Sequence, residues 1–174
     1  AECDGGGDDA EDVALGLSAV RRLSFANETR LLLHIADAPA HGERFHDNLW
    51  DNRADDDGST IDDALRWLAE QNVTYSFGRI TSHTDKMIAQ FDRVLAATGR
   101  KDSLGKPLSV CVNDIKSDPK EFLRWVLSSV SSSVSASLSR LNEQAQKAAF
   151  NYGNPQPSAP PLGSHDSLVG RGGT

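Results

Sequence analysis

Apolar residues recur every three or four positions in four stretches of the chain, and short continuous apolar runs separate these stretches. Helical spacing predicts amphipathic helices, and a short apolar run bounded by turn residues predicts a buried strand. The predicted strands cover residues 31–37, 73–77 and 108–112. The first predicted helix runs to about Phe25, and the four helices begin at Asp8 or Asp9, at Ser59 or Thr60, near Ser82, and at Asp118.

The order of these elements predicts the fold class. Helices and strands alternate along the chain, which is typical of βαβ units with a parallel sheet covered by helices on both faces. We therefore expect an α/β fold. Three strands make a thin sheet, and residues 31–35 are too apolar for an exposed edge strand, so a neighbouring strand is expected beside them.

The last predicted helix is long and rich in serine, but its apolar residues keep helical phase. They recur every four positions, as Phe122, Val126, Val130, Val134 and Leu138. Beyond this helix, prolines, glycines and serines leave too little apolar surface to offset chain entropy. We expect one domain over residues 1–142 and a disordered tail over residues 143–174.

Charge and composition narrow the classes of partner. The formal net charge is −7, so nucleic acid and anionic lipid are poor partners and cations are better ones. No apolar stretch reaches the roughly 18 residues of a membrane span. Cys3 and Cys111 are too few for a disulfide framework, and Cys111 falls in a predicted buried strand, so a reduced, cytoplasmic protein is expected. An opening without Met suggests a chain cut from a longer one.

Asp37 is the first candidate for chemistry, because it follows the most apolar predicted strand. Ligands of open α/β sheets collect at the carboxyl ends of the strands. The loop that follows, residues 38–58, is rich in His and Asp and contains Trp50. Loops of this length in compact domains are typically functional or disordered.

Several motifs in the first half of the chain resemble those of one family. They are Gly5-Gly6-Gly7-Asp8 with Glu11-Asp12-Val13, His34-Ile35-Ala36-Asp37-Ala38-Pro39 with His41-Gly42, and Thr84-Asp85-Lys86-Met87. Together they look like the C-terminal portion of a von Willebrand factor type A domain, of the variety found with atypical α-kinases. The resemblance covers roughly residues 3–140.

The resemblance implies a Rossmann-like, three-layer fold with a metal-ion-dependent adhesion site. Asp37 matches the Asp that follows a later strand in the family, and Asp8 stands where the family commonly has threonine. The family's first-strand Asp-x-Ser-x-Ser loop is absent from this chain. The resemblance therefore implies a domain that lacks its N-terminal strands, including the central first strand, with Asp8 and Asp37 as ligands of Mg²⁺.

Other metal and nucleotide sites find less support in the sequence. His34, His41 and His46 could join Asp37 around zinc, but their spacing fits no zinc pattern. Read as a calcium loop, Asp55-Asp56-Asp57-Gly58 would put Arg53 and Ala64 at ligand positions. The glycine run lacks a nucleotide-binding motif and is surrounded by acids that repel phosphate.

We expect a metal-dependent protein–protein interaction module that is not an enzyme, with a partner's carboxylate completing the coordination of Mg²⁺. Two alternatives stay open. One is a metal-dependent hydrolase that uses Asp37 and His41. The other is a scaffold with a vestigial metal site.

Overall fold

A computed structural model describes residues 7–47, 49–102, 104–116 and 118–153, with side chains described to residue 150. It falls into two units, Ala1–Leu141 and Asn142–Thr174. The helices and strands, in chain order, are α1 Val13–Val20, β1 Leu31–Ala36, α2 Ser59–Glu70, β2 Thr74–Arg79, α3 Asp85–Ala97, β3 Cys111–Asp114 and α4 Pro119–Gly153. A 3₁₀ turn, Ser82–Thr84, leads into α3. Most of the predicted tail, residues 154–174, lies outside the described residues.

The strands form one parallel sheet in the order β1-β2-β3. Leu31 pairs with Thr74, and Ser76 pairs with Cys111. The α/β class and the parallel sheet are confirmed. Among the described residues β1 is an edge strand, and its Ile35 is 46% exposed.

Helices α1, α2 and α3 cover one face of the sheet. Successive side chains of a strand point to opposite faces, and Tyr75 and Phe77 of β2 point to this one. Both belong to the core that these helices complete, with Leu17, Leu65, Leu68, Phe91 and Leu95. Phe45, from the loop after β1, is fully buried in the same core. Part of this loop is therefore held by core packing.

Helix α4 covers the other face, but with a different side from the expected one. Its buried residues there are Trp125 and the serines at 129, 133 and 137. Trp125 Nε1 donates to Ser76 Oγ at 2.8 Å, and a Cβ on Gly78 would lie 3.0 Å from the Trp125 ring. Small serines permit this close approach. The apolar residues predicted to form the buried side of this helix point away from the sheet, and three of them, Val130, Val134 and Leu138, are at least 41% exposed.

Three further expectations need correction. Helix α1 ends at Val20, well before Phe25, and its N-cap is Asp12, whose Oδ1 accepts from the amide of Leu15. Strand β3 starts three residues later than predicted, and Cys111 is exposed rather than buried. The N-cap of α2 is Gly58 and not Ser59 or Thr60. In the part of the chain that the structure describes, no helix combines the length and apolarity needed to cross a bilayer.

Candidate metal centre

The loop between β1 and α2 folds around one buried carboxylate, that of Asp51. Its two oxygens accept four hydrogen bonds. Oδ1 accepts from His41 Nδ1 at 2.6 Å and from the Arg53 amide at 2.8 Å. Oδ2 accepts from the Gly42 amide at 2.7 Å and from His46 Nε2 at 2.9 Å. Since a carboxylate only accepts hydrogen bonds, His41 Nδ1 and His46 Nε2 each carry a proton here.

These contacts keep Asp51 ionised. Burial alone would raise the pKa of its carboxyl, because it disfavours the charged form. The hydrogen bonds from His41, His46 and the amides of Gly42 and Arg53 outweigh burial, and hold the pKa of Asp51 well below its usual range. The site therefore contains a permanent, buried negative charge at neutral pH.

Asp8 brings a second carboxylate to the same place. Its Oδ2 accepts from the Asn52 amide at 3.0 Å and lies 3.6 Å from His41 Nδ1. The side chains of Asp8, His41 and Asp51 are at most 10% exposed. One ligand atom from each of these residues lies within 4.8 Å of the others, so this group could hold a metal ion.

Backbone contacts hold the segment that carries Asp8 against the loop. The amide of Glu11 donates to Pro39 O at 2.8 Å, and Glu11 forms a parallel bridge with Ala40. The amide of Asp9 donates to Trp50 O at 2.9 Å. Because residues 39 and 40 follow the carboxyl end of β1, the site lies at the carboxyl ends of the strands, where α/β proteins bind ligands.

Gly42 is required for the loop to close. Its φ of +101° lies in the region that L side chains rarely adopt. An added Cβ would lie 2.3 Å from the carbonyl oxygen of Asp56, which is too short for any real contact. The His41-Gly42 pair therefore combines a side-chain donor and a backbone donor to Asp51 with a turn that only glycine permits.

The outer part of the loop is fixed by Lys86 of α3. Its Nζ donates to the carbonyl oxygens of Glu43 and His46, both at 2.8 Å, and to Asp47 Oδ1 at 2.6 Å. Trp50, next to Asp51, is 63% exposed. A well-anchored loop thus carries a large aromatic side chain at the surface.

The predicted site residues have different places. Asp8 belongs to the group of three ligands, whereas Asp37 does not; Asp37 is exposed, and its carbonyl accepts from the Thr81 hydroxyl. His41 and His46 do come together, but on Asp51. His34 lies in the middle of β1, where its Nδ1 and Tyr75 Oη share a hydrogen bond of 2.7 Å. Burial lowers the pKa of His34 to about 4.

Asp51 is not among the site residues that the sequence predicts. Three side chains that share this centre, His41, His46 and Asp51, recur at intervals of five residues within one long loop. That regularity was available in the sequence, but it matches no helical or strand period, and only the folded loop converts it into a cluster.

The donor set fits some cations better than others. Mg²⁺ prefers oxygen ligands and usually keeps several waters, whereas an imidazole beside carboxylates suits Zn²⁺ and related ions. His41 Nδ1 now carries a proton where a metal would bind, and both oxygens of Asp51 are already hydrogen-bonded. A metal would therefore have to displace that proton, and its affinity would fall as the pH falls.

The chain is similar to part of a larger protein. It is 34% identical over 144 residues to the alpha-protein kinase vwkA of Dictyostelium discoideum. The match covers 80% of this chain and 22% of the relative, so the chain spans about a fifth of that protein's length. No family profile matches the chain, and no solved structure matches it. The chain is thus homologous to one part of a protein named as a kinase.

Proposed function

We propose that this chain is a von Willebrand factor type A-like module that binds a protein partner within a kinase-associated polypeptide. In this proposal the group of Asp8, His41 and Asp51 holds a divalent cation, and a carboxylate of the partner completes its coordination. One observation carries the proposal: ligand atoms of three buried side chains converge, at the carboxyl end of β1, where α/β proteins bind ligands.

The balance of charge at the site supports a cation. The buried carboxylates of Asp8 and Asp51 both face the imidazole of His41, and Asp51 also accepts from His46. Buried charges are costly unless they are paired or bind a metal. A divalent ion would neutralise both carboxylates, and the imidazole donor favours Zn²⁺ or Mn²⁺ over the Mg²⁺ expected from the resemblance.

Asp8 and Asp37 stay in the proposal as the two ligands predicted from the sequence, and they contribute differently. Asp8 binds the cation directly. Asp37 is exposed on the same edge of the sheet, after β1, and we assign it a supporting role through bound water. The three protein ligands leave a coordination position that water can fill, which permits such a role.

Trp50 is the proposed contact for the partner. Exposed aromatic residues often dominate the energy of binding at protein interfaces. Trp50 is 63% exposed and adjoins Asp51 in sequence, while its amide donates to Asp9 Oδ2 at 3.2 Å. A partner that reached the cation would therefore cover this side chain.

No observation favours the hydrolase alternative. That hypothesis paired His41 with Asp37, but His41 Nδ1 bonds to Asp51 instead. We accordingly propose a binding module without catalytic activity of its own. A scaffold whose metal site is vestigial would show the same fold, and the response to metal distinguishes it.

Partner capture with matched variants tests this function. Immobilised chain is exposed to native cell extract with and without EDTA, and the retained proteins are identified by mass spectrometry. We expect retention to require metal and Trp50, to be lost in Asp8→Asn and to persist in Asp55→Asn, which removes an exposed charge from the loop that carries His41 and Asp51. Retention that is unaffected by EDTA and by Asp8→Asn would contradict the proposal.

A further inference from the structure

The loops that precede the three strands come together at the amino ends of the strands, opposite the candidate metal centre. These loops are residues 21–30, 71–73 and 98–110. Side chains connect them, since Arg30 Nη1 donates to Gln71 O at 2.7 Å and Arg100 Nη2 donates to Asn72 Oδ1 at 2.6 Å. We call the amino edge these three loops together with two neighbours, Glu70 at the end of α2 and Arg140 of α4, which donates to Glu28 O.

Charge is divided unequally between the two ends of the strands. The segments around the candidate metal centre, residues 7–12 and 37–57, contain eleven acidic residues and two arginines. The amino edge instead carries seven basic residues: Arg21, Arg22, Arg30, Arg100, Lys101, Lys106 and Arg140. Its acidic residues are three, Glu28, Glu70 and Asp102, so four positive charges are in excess. The net charge of −7, from which we expected anionic lipid to be a poor partner, conceals this separation.

The basic side chains at the two ends also differ in their partners. Around the candidate metal centre, Arg53 pairs with Asp12 and Lys86 pairs with Asp47. Within the described part of the chain, none of the seven basic side chains of the amino edge forms an ion pair with a carboxylate. The positive charge of this edge is therefore available to an anionic partner outside the chain.

Two leucines protrude from the amino edge. Leu104 is 78% exposed and Leu23 is 61% exposed. A tight turn fixes the backbone of Leu104, because Asp102 Oδ1 accepts from the amides of Leu104 and Lys106 at 2.8 and 2.9 Å. Basic residues flank both leucines in the sequence, namely Arg21, Arg22, Lys101 and Lys106. Each leucine is thus an apolar tip beside positive charges.

Apolar tips among basic residues fit the surface of an anionic membrane. There, apolar side chains enter the boundary between headgroups and acyl chains, and basic side chains are attracted to the lipid phosphates. A protein interface has a contiguous apolar core, whereas these two leucines belong to separate loops. Single-stranded nucleic acid stacks on aromatic side chains, and Phe25, the aromatic residue of these loops, packs instead against Trp67 with ring centroids 5.8 Å apart. A lipid surface is therefore the partner that these features favour.

We propose that the amino edge is a docking surface for membranes that contain anionic phospholipids. Leu23 and Leu104 enter the headgroup level, and the exposed basic residues face the lipid phosphates. The chain lies on the bilayer in this arrangement and does not cross it. The amino edge is at the other end of the strands from Asp8, His41 and Asp51, so the inference does not depend on a cation at that site.

Vesicle co-sedimentation in the presence of EDTA tests this surface without any contribution from divalent cations. The 174-residue chain is mixed with vesicles of phosphatidylcholine alone and with vesicles that also contain phosphatidylserine. We expect binding only to the anionic vesicles, with a partition coefficient that falls as NaCl is raised. Lys101→Gln/Lys106→Gln should lower that coefficient at least about tenfold, because each basic residue near the lipid contributes about fivefold. Leu104→Ser should lower it without changing its dependence on salt.

Lys116→Gln/Lys120→Gln is the matched control, because it removes the same charge from two exposed lysines near the carboxyl end of β3. This variant should bind the anionic vesicles as the wild-type chain does. An equal loss in the two double variants would show a response to net charge alone and would overturn the inference. Retention of the wild-type chain on immobilised polyglutamate, without binding to phosphatidylserine vesicles, would assign the amino edge to an acidic protein and would overturn it as well.

Discussion

Replacing Asp51 by asparagine should destabilise the protein far more than any other single loss of charge in its loop. Asparagine has the same shape, but it presents an NH₂ group where one carboxylate oxygen stood. Two of the four donors, either His41 with the Arg53 amide or His46 with the Gly42 amide, would then face another donor.

The size of the effect follows from these contacts. A hydrogen bond to a charged group contributes about 1.5–3 kcal/mol, and two such bonds are lost. Asparagine also removes the cost of keeping a charge buried, which offsets part of that loss. We expect the free energy of unfolding to fall by about 3–5 kcal/mol, or the melting temperature by roughly 6–20 °C for a domain of this size.

Urea unfolding followed by tryptophan fluorescence measures this change. Asp55→Asn is the matched control, because Asp55 is exposed in the same loop and the substitution is chemically identical; it should stay within about 0.5 kcal/mol of wild type. If Asp51→Asn also stayed within about 1 kcal/mol, Asp51 would not organise the loop.

The pH dependence provides a second measurement on Asp51. Its unfolded pKa is near 3.8, and its folded pKa lies well below that value. The stability it contributes is therefore fully present above pH 4 and is lost as the pH falls towards the folded pKa. Asp51→Asn should lose this acid-sensitive part of the stability curve, whereas Asp55→Asn should keep it.

Three further predictions concern single residues elsewhere. Gly42→Ala should lower the free energy of unfolding by at least about 2 kcal/mol, because the positive φ of Gly42 and the Asp56 carbonyl both exclude a Cβ. Urea denaturation compared with that of Gly16→Ala, whose Cβ would meet nothing within 4 Å, checks this. Burial lowers the pKa of His34 from 6.5 to about 4. The free energy of unfolding should therefore be highest above pH 6.5 and fall by about 3 kcal/mol by pH 4, as protonation favours the unfolded state. His34→Gln should lack this decline, and an NMR titration midpoint above 6 for His34 would contradict the prediction. Ser133→Val, at a position 1% exposed where α4 approaches the sheet, should cost about 1–3 kcal/mol by overpacking, and a stabilised variant in the same unfolding assay would refute this close packing.

Local signals predicted most elements of the fold. Asp118 and Pro119 specified the start of α4, where Asp118 Oδ1 accepts from the amide of Lys120 at 2.8 Å. The apolar run of β1 specified a strand, and its composition indicated that a neighbour is needed beside it. Such features depend on a few adjacent residues and are therefore legible without the fold.

The face of α4 was not legible in the same way. Val126, Val130 and Val134 repeat every four residues, and so do Ser129, Ser133 and Ser137. Each of the two patterns therefore describes one side of a helix. The choice between them depends on Ser76 and Gly78, which give the sheet a shallow surface that the Trp125 ring and small serines can approach. That surface is formed by residues about 50 positions away.

The group of Asp8, His41 and Asp51 was predicted only in part, for a similar reason. The resemblance to the family predicts Asp8 as a metal ligand, but the neighbours His41 and Asp51 are brought to Asp8 by the fold of a 21-residue loop, residues 38–58. Two local features position the three side chains. One is the turn at Gly42, whose amide donates to Asp51, and the other is the amide of Asn52, which donates to Asp8. Neither has a periodic pattern in the sequence.

Isothermal titration with Zn²⁺, Mn²⁺ and Mg²⁺, each alone, tests the central claim most directly. The wild-type chain, Asp8→Asn and Asp55→Asn are compared after treatment with EDTA and exchange into metal-free buffer at pH 7. We predict one site, tighter for Zn²⁺ or Mn²⁺ than for Mg²⁺, at least about tenfold weaker in Asp8→Asn and unchanged in Asp55→Asn, whose substituted side chain is exposed. Absence of binding by every ion, or equal binding by Asp8→Asn and wild type, would contradict a metal centre at Asp8, His41 and Asp51.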